Sequence, residues 1–501
     1  MIGINVAPHL GYLTGVHSGI INPPTDTDTD TDTDTDTAVP HVTAPATLPV
    51  IPAARWHAGF STVTQDADRV VSASDLMGLA DVATSDLGPK AMTDALGRKF
   101  WRFEGYAYLN VANTLALSSR DMAVFMVGRV HRVSNKCPVF SLGTVQGGNP
   151  ANTLGAALEA SILSRSAPML RGYSYPRNST YTDAEWMVAG SQMQVIGSAG
   201  RPTASGGTGL WLNDHMINTT QPYNVTDVGG AEIGRYANTP GNAGNWGTFD
   251  LYEMIVYDQG ITDAEGTSLS AALMDHYGIA PVTNQLVLEG DSIMQGTDDV
   301  TTGLAANMTL TEPNADLIGP DWRVINVATS GNQISHLQLR RDASSGWPLL
   351  KLPGQNVMAV EIGRNDFGSG NRSAASHYAN MIAYLNTTTT GVLNRGWTAR
   401  VMANIASGSS FTAKIEEYRA LIRDPAFLTD TGTGPSQPFA GQLSVVETDQ
   451  ITNGGNTIFA TTADASDTAY YAGDSTHLSP LGTALRMSGG DDPTKGVAYG
   501  L

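Results

Sequence analysis

Ser292, Asp474 and His477 are the residues whose types and spacing best suit nucleophilic chemistry in this chain. Ser292 follows a short apolar run in LVLEGDSIMQG, residues 286–296, and Asp474 precedes His477 by three positions in GDSTHLSPLG. A serine hydroxyl is a poor nucleophile until a base takes its proton. Histidine, with an unperturbed pKa of about 6.5, suits that task near neutrality. A carboxylate on the same loop can accept from the other ring nitrogen and fix the tautomer. Attack on a carbonyl then places negative charge on its oxygen, so donors aimed at that oxygen are required. The Gly-Asp-Ser triplet alone is weak evidence. The G-x-S-x-G elbow of α/β-hydrolases is not met, because Met294 stands where its second glycine would be.

Two further stretches lie between these, ATSGNQI with Gly331 and GRND with Asn365. Together the four motifs resemble, in order and interval, the blocks of the SGNH (GDSL-type) hydrolases, over about residues 284–490. The resemblance implies a catalytic triad of Ser292, Asp474 and His477. It also implies an oxyanion hole made by the backbone N–H groups of Ser292 and Gly331 and the side-chain amide of Asn365. No metal and no cofactor are implied. GDSIMQG looks most like the carbohydrate esterases of that family, which also includes lipases and thioesterases. One departure concerns the end of the chain: SPLGTALRMSGG gives only two or three helical turns before a glycine pair, which leaves the support of His477 in question.

Neighbouring residues have plainer readings. Asp291 is expected to hold its turn through backbone hydrogen bonds, and Asp366 to be structural. His336 is read as a pocket-lining histidine or a surface or packed one, and Arg364 as a substrate contact or a solvated or structural arginine. His377 falls in a helical stretch and receives no role. No paired-histidine or H-x-E-H spacing suggests a metal site.

The elements that must position these residues follow from periodicity. After Pro281, the apolar runs QLVLEG, WRVINVA, VMAVEIG, ARVMANI and LSVVETD alternate with helical stretches such as SAASHYANMIAYLNTT and FTAKIEEYRALIRD. Short doubly buried strands alternating with helices predict a parallel sheet covered on both faces, with chemistry at the strands' carboxyl ends. From Trp56 to about Pro281 the pattern is instead short strands separated by glycine, asparagine and serine turns: KFWRFEG, DMAVFMVGRVHR, PVFSLGT, AEWMVAG, TGLWLND and FDLYEMIVYD. ITDAEGTSLSAALMDHYG then reads as a helix with a Thr262/Glu265 capping box, an Ile261 staple and a Gly278 stop. FWRFEGYAYLNVANTLALSSRDMAVFMVGRV and the stretch from FDLYEMIVYD through that helix resemble concanavalin A-like (laminin-G-like) jelly-roll domains. The expected fold class is therefore multidomain: a β-sandwich (jelly roll) followed by an α/β/α three-layer hydrolase fold with a parallel sheet. The expected boundaries are an arm at 1–55, a sandwich with glycan binding at 56–282 and a hydrolase domain at 283–501.

Composition bounds the rest. The chain has 501 residues and a formal net charge of −19, which argues against nucleic acid and against anionic lipid as partners. A single cysteine, Cys137, excludes an internal disulfide and a cysteine-rich metal site. No apolar run of roughly 18 residues would span a membrane, and the start lacks the positive n-region of an ordinary secretory signal. The run TDTDTDTDTDTDT at residues 25–37 reads as an extended acidic linker, with a calcium-binding strip as the alternative. The two resemblances together imply a serine esterase that removes acyl groups, acetyl first, from an acylated polysaccharide. Its setting would be a phage-like fibre or spike anchored to a particle through residues 1–55, as a homo-oligomer on the virion surface. The alternatives are an adhesive virion protein, an extracellular or periplasmic enzyme, and a lipase or thioesterase.

Overall fold

The strand Thr248–Tyr257 is the spine of the first half of the molecule. Along one edge it pairs with Met122–Val130 over most of its length. Along the other, Thr248–Leu251 pair with residues of Lys99–Glu104, while Glu253–Val256 pair with Ala54–His57. A register shift between Leu251 and Glu253 accommodates the change. In the computed structural model the described residues are 44–112, 122–130, 136–142, 156–162, 168–174, 193–200, 208–219, 231–235, 248–295, 318, 321–342 and 351–501, apart from 85–86, 95, 105–106, 282, 329 and 409–410. Residues 40–501 form one compact unit. Most of the expected arm, the whole Thr-Asp run and the expected strand AEWMVAG lie outside the described residues.

Ala231–Ile233 pairs with Leu109–Val111 on one side and with Lys136–Leu142 on the other. That double pairing draws the outer strands Ala156–Ile162 and Pro168–Ser174 into the same ladder. Sixteen strands are thereby joined in one antiparallel sheet. The expected fold class, a two-sheet jelly roll followed by a three-layer hydrolase fold, is corrected accordingly. A single continuous antiparallel sheet dominates the molecule, and a five-stranded parallel sheet is the lesser element. The physical reason is that alternation of side chains marks a strand but not its partner. The short strands at 109–111 and 231–233 turn what reads as two sheets into one.

Both faces of the central strands are apolar. Along Met122–Val130, Val124 and Met126 pack with Trp56, Trp101, Phe103 and Phe249. Ala123, Phe125 and Val127 pack with Trp211, Tyr252 and the helix residues Leu269, Leu273 and Tyr277. That helix, Asp263–Tyr277, carries the expected capping box of Thr262 and Glu265 and ends at Gly278 in the left-handed conformation. Charges buried at the sheet centre are paired: Arg102 grips Asp250 at 2.8 and 2.9 Å, and Arg55 holds Glu253.

The smaller sheet runs in the order Trp322–Asn326, Asn284–Gly290, Asn356–Glu361, Thr398–Met402, Leu443–Val446, all parallel. The strands Trp322–Asn326, Asn284–Gly290 and Asn356–Glu361 are buried on both sides. Val287, Met358 and Val360 pack with the helices Ile334–Asp342, Ala374–Asn386 and Thr412–Arg423 through Leu337, Met381 and Ile415. Leu286, Leu288 and Ala359 pack with Met487 and Val497 near the end of the chain. Among the described residues, no helix is long and apolar enough to cross a membrane.

Candidate active site

The strand Asn284–Gly290 delivers Ser292. Gly290 closes the strand where a β-carbon would lie 2.0 Å from the Glu361 carbonyl oxygen, so no larger residue fits between the two neighbouring strands. Asp291 accepts from the Ile293 N–H at 3.1 Å through its carboxylate, which starts the short helix Ser292–Gln295. Burial raises the Asp291 carboxyl above the usual range, against the pull of Arg364 and Arg486.

His477 lies 185 residues downstream, with Nε2 2.8 Å from Ser292 Oγ. On the other side of the ring, Nδ1 is 2.5 Å from Asp474 Oδ2. Asp474 Oδ1 also accepts from the Thr476 and His477 amides, each at 2.9 Å. Burial alone would raise the Asp474 carboxyl, but the hydrogen bonds from His477 and Thr476 hold it below its ordinary value. The carboxylate is thus kept ionised and pointed at the imidazole. Ser292 is buried, while the side chains of His477 and Asp474 remain 19% and 27% exposed, so the triad sits at a surface.

Asn332 joins the other two motifs to the serine turn. Its Nδ2 donates to the Gly290 carbonyl at 3.2 Å, and its own carbonyl accepts from Asn365 Nδ2 at 3.0 Å. The Ser330 amide donates to Gln295 Oε1 at 2.6 Å, which fixes the loop before Gly331 to the serine helix. Gly331 is exposed and takes φ +79°, and no atom lies within 4 Å of where a β-carbon would be. The left-handed backbone, not crowding by the fold, demands glycine here. One N–H of the Asn365 amide goes to Asn332, and the amide carries a second.

The other candidates fall into place individually. Asp366 is fully buried and accepts from the Ile334 N–H at 3.0 Å and from Arg372 Nε at 3.0 Å, so it ties the Asn365 turn to the helix after Gly331. His377 is buried against Phe367 and Tyr418 and hydrogen-bonds the Ile362 carbonyl at 3.2 Å. His336 accepts the Gln333 N–H at 3.0 Å, back within its own helical turn. Arg364 is buried at 6% exposure, and its guanidinium meets the carbonyls of Thr476, Ile405 and Ala406. A structural place fits it and a solvated one does not.

The short final helix, Pro480–Ser488, is well anchored. Ser479 caps it by accepting from the Gly482 N–H at 3.1 Å. Arg486, fully buried, pairs with Glu361 at the end of the central strand. Burial lowers the Arg486 pKa to about 10, which leaves it charged at neutral pH. A second buried pair, Glu289 with Arg340 at 3.3 Å, lies one residue before Gly290. Sequence reasoning missed both pairs. The signal available was a glutamate at the end of each of two apolar runs, LVLEG and VMAVEIG. Among the described residues, no group of three His, Cys, Asp or Glu side chains is placed to hold a metal ion.

Comparisons with known proteins add little to this geometry. No protein-family model and no curated protein matches the sequence. Among solved structures, a sialidase mutant of Trypanosoma rangeli with trans-sialidase activity is similar at 9% identity and a TM-score of 0.29, over 45% of this chain and 33% of that chain. The T. rangeli sialidase bound to sialic acid gives 12% identity and 0.29, over 48% and 37%. A mutant GH54 α-L-arabinofuranosidase gives 10% identity and 0.31, over 42% of this chain and 51% of that chain. The chain spans about a third of the length of these sialidases and about half of the arabinofuranosidase. Likenesses of this extent carry no argument about what the chain does.

Proposed function

We propose that the chain is a serine carboxylic-ester hydrolase of SGNH type that removes O-acyl groups, acetyl first, from a polysaccharide. The observation that carries this reading is the continuous hydrogen-bonded line from Asp474 through His477 to Ser292, with the last link at 2.8 Å. In the reaction, Ser292 Oγ attacks the ester carbonyl as His477 Nε2 takes its proton. The resulting imidazolium is balanced by Asp474. The tetrahedral oxyanion is met by the Ser292 and Gly331 N–H groups and by Asn365 Nδ2. Collapse of this intermediate expels the sugar hydroxyl, which takes the proton from His477. Water, deprotonated by the same imidazole, then attacks the acyl-serine and releases the carboxylic acid.

The choice of a sugar ester rests on the resemblance of GDSIMQG to carbohydrate esterases. In this reading the large antiparallel sheet holds the glycan, and residues 1–55 attach the protein to a particle. Acetate release from a panel of O-acetylated polysaccharides, set against long-chain acyl esters, tests it. Release of acetate by the wild type and none by Ser292→Ala is the expected result. Turnover that survives in Ser292→Ala excludes the proposed nucleophile, and a preference for long acyl chains excludes the carbohydrate substrate.

A further inference from the structure

We propose that Arg364 is a positioning residue of this site, whose guanidinium holds the loop bearing Asp474 and His477 in line with Ser292. The inference rests on the triad reading above and adds a residue that the motif resemblance gives no role.

Arg364 opens the short helix Arg364–Phe367, immediately before Asn365. Its Nη1 lies 3.4 Å from the carbonyl of Thr476, the residue preceding His477. Its Nη2 lies 3.3 Å from each of the carbonyls of Ile405 and Ala406, beyond the end of the strand Thr398–Met402. The Tyr471 hydroxyl donates to the same Ala406 carbonyl at 3.0 Å, which fastens the start of the histidine loop to the same point. One planar cation therefore bridges the framework of the parallel sheet and the loop that must bring His477 to the serine.

The charges around it fit the same role. Burial lowers the Arg364 pKa, and the carboxylates of Asp291 and Asp474 counter that effect. These two residues adjoin the nucleophile and orient the base, respectively. The cation thus attracts the carboxylate beside the nucleophile and the carboxylate that orients the base. Arginine suits such a place because its donors form a rigid fork, whereas lysine offers one compact charge on a flexible stem. The hydrogen bonds of Arg364 go to backbone carbonyls, so it acts through the position of His477. A displacement of about 1 Å at a reacting group costs on the order of 10²-fold in rate.

The test uses the full chain as wild type, Ser292→Ala, Arg364→Gln and Arg364→Lys. It reads hydrolysis of a small acetyl ester, and the far-downfield proton NMR signal of the His477 Nδ1–Asp474 hydrogen bond. Arg364→Gln is expected to lower kcat roughly 30- to 100-fold while KM changes less than about twofold. Its downfield proton should broaden or disappear. Arg364→Lys should restore part of kcat and part of the signal. Unchanged kcat and an unchanged downfield proton in folded Arg364→Gln overturn the proposal. So does a loss of activity that only follows loss of folded protein, with kcat per folded molecule preserved. If Arg364→Gln does not fold, Arg364→Lys decides: wild-type kcat and signal there overturn the proposal. A wild type that shows the downfield proton but hydrolyses no ester removes the esterase reading. In that case the NMR signal alone still judges Arg364.

Discussion

Among the described residues, two lines of histidine, hydroxyl and carboxylate are wired in opposite orders. In the antiparallel region, Tyr277 OH sits 2.9 Å from His57 Nε2 and 2.9 Å from Glu253 Oε2, and Glu253 is held by Arg55. There the hydroxyl is in the middle, and the carboxylate faces the phenol and the guanidinium instead of the imidazole. In the parallel region the imidazole is in the middle, between Asp474 and Ser292. The first arrangement is buried, and burial drives the His57 pKa down to about 3. The second is open to solvent on the histidine side. Similar kinds of group thus give a neutral, structural histidine in one place and a base with a charge-stabilising partner in the other. Order and exposure, not composition, separate them.

That contrast can be broken by substitution. The largest effect is expected from Ser292→Ala, which should lower ester turnover at least about 10⁴-fold while the thermal midpoint stays near that of the wild type. Next, Glu253→Ala leaves Arg55 buried without its partner and should cost about 3–5 kcal/mol of stability by chemical denaturation, with kcat per folded molecule unchanged. A loss of turnover in that variant beyond its loss of folded protein would show that the two networks communicate. Asn365→Ala removes one proposed oxyanion donor and should cost roughly 3–4 kcal/mol of activation free energy, read as kcat for the acetyl ester. The most gradual effect is a pH dependence of stability. Because the folded pKa of His57 is depressed, the unfolded chain takes up the proton first. The contribution is fully present above about pH 6.5 and is lost as pH falls toward 3, at up to about 1.4 kcal/mol per pH unit. His57→Asn should flatten that part of the pH profile of denaturation midpoints.

How much of this was legible in sequence differs by level. Ser292, Asp474 and His477, which the structure brings into one hydrogen-bonded line, could be picked out by residue type, whereas Gly331 and Asn365 stood out only through the order of the four motifs along the chain. The capping box at Thr262 was legible because it is local. Arg364 was not, because whether a guanidinium points to substrate or to backbone depends on carbonyls some 40 and 110 residues away. The pair Glu361–Arg486 was illegible for the same reason: one partner ends a strand and the other lies near the end of the chain. That pair anchors the short final helix that follows the histidine loop. The sheet connectivity was misjudged because three residues are too few for Ala231–Ile233 to stand out as a strand, yet it pairs on both edges.

The divided pairing of Thr248–Tyr257 also sets an order of events during synthesis. Arg55 and Glu253, which bond diagonally across neighbouring strands, are separated by 198 residues of chain. The strand Ala54–His57 therefore leaves the ribosome long before Thr248–Tyr257, its neighbour among the described residues, exists. Closure of so large a loop is slow, since its entropy must be lost before the contacts reward it. The first half of the chain should consequently mature late, after residue 257 has emerged, and be the stage most exposed to misassociation. The parallel strands, each completed by a near neighbour, carry no comparable delay.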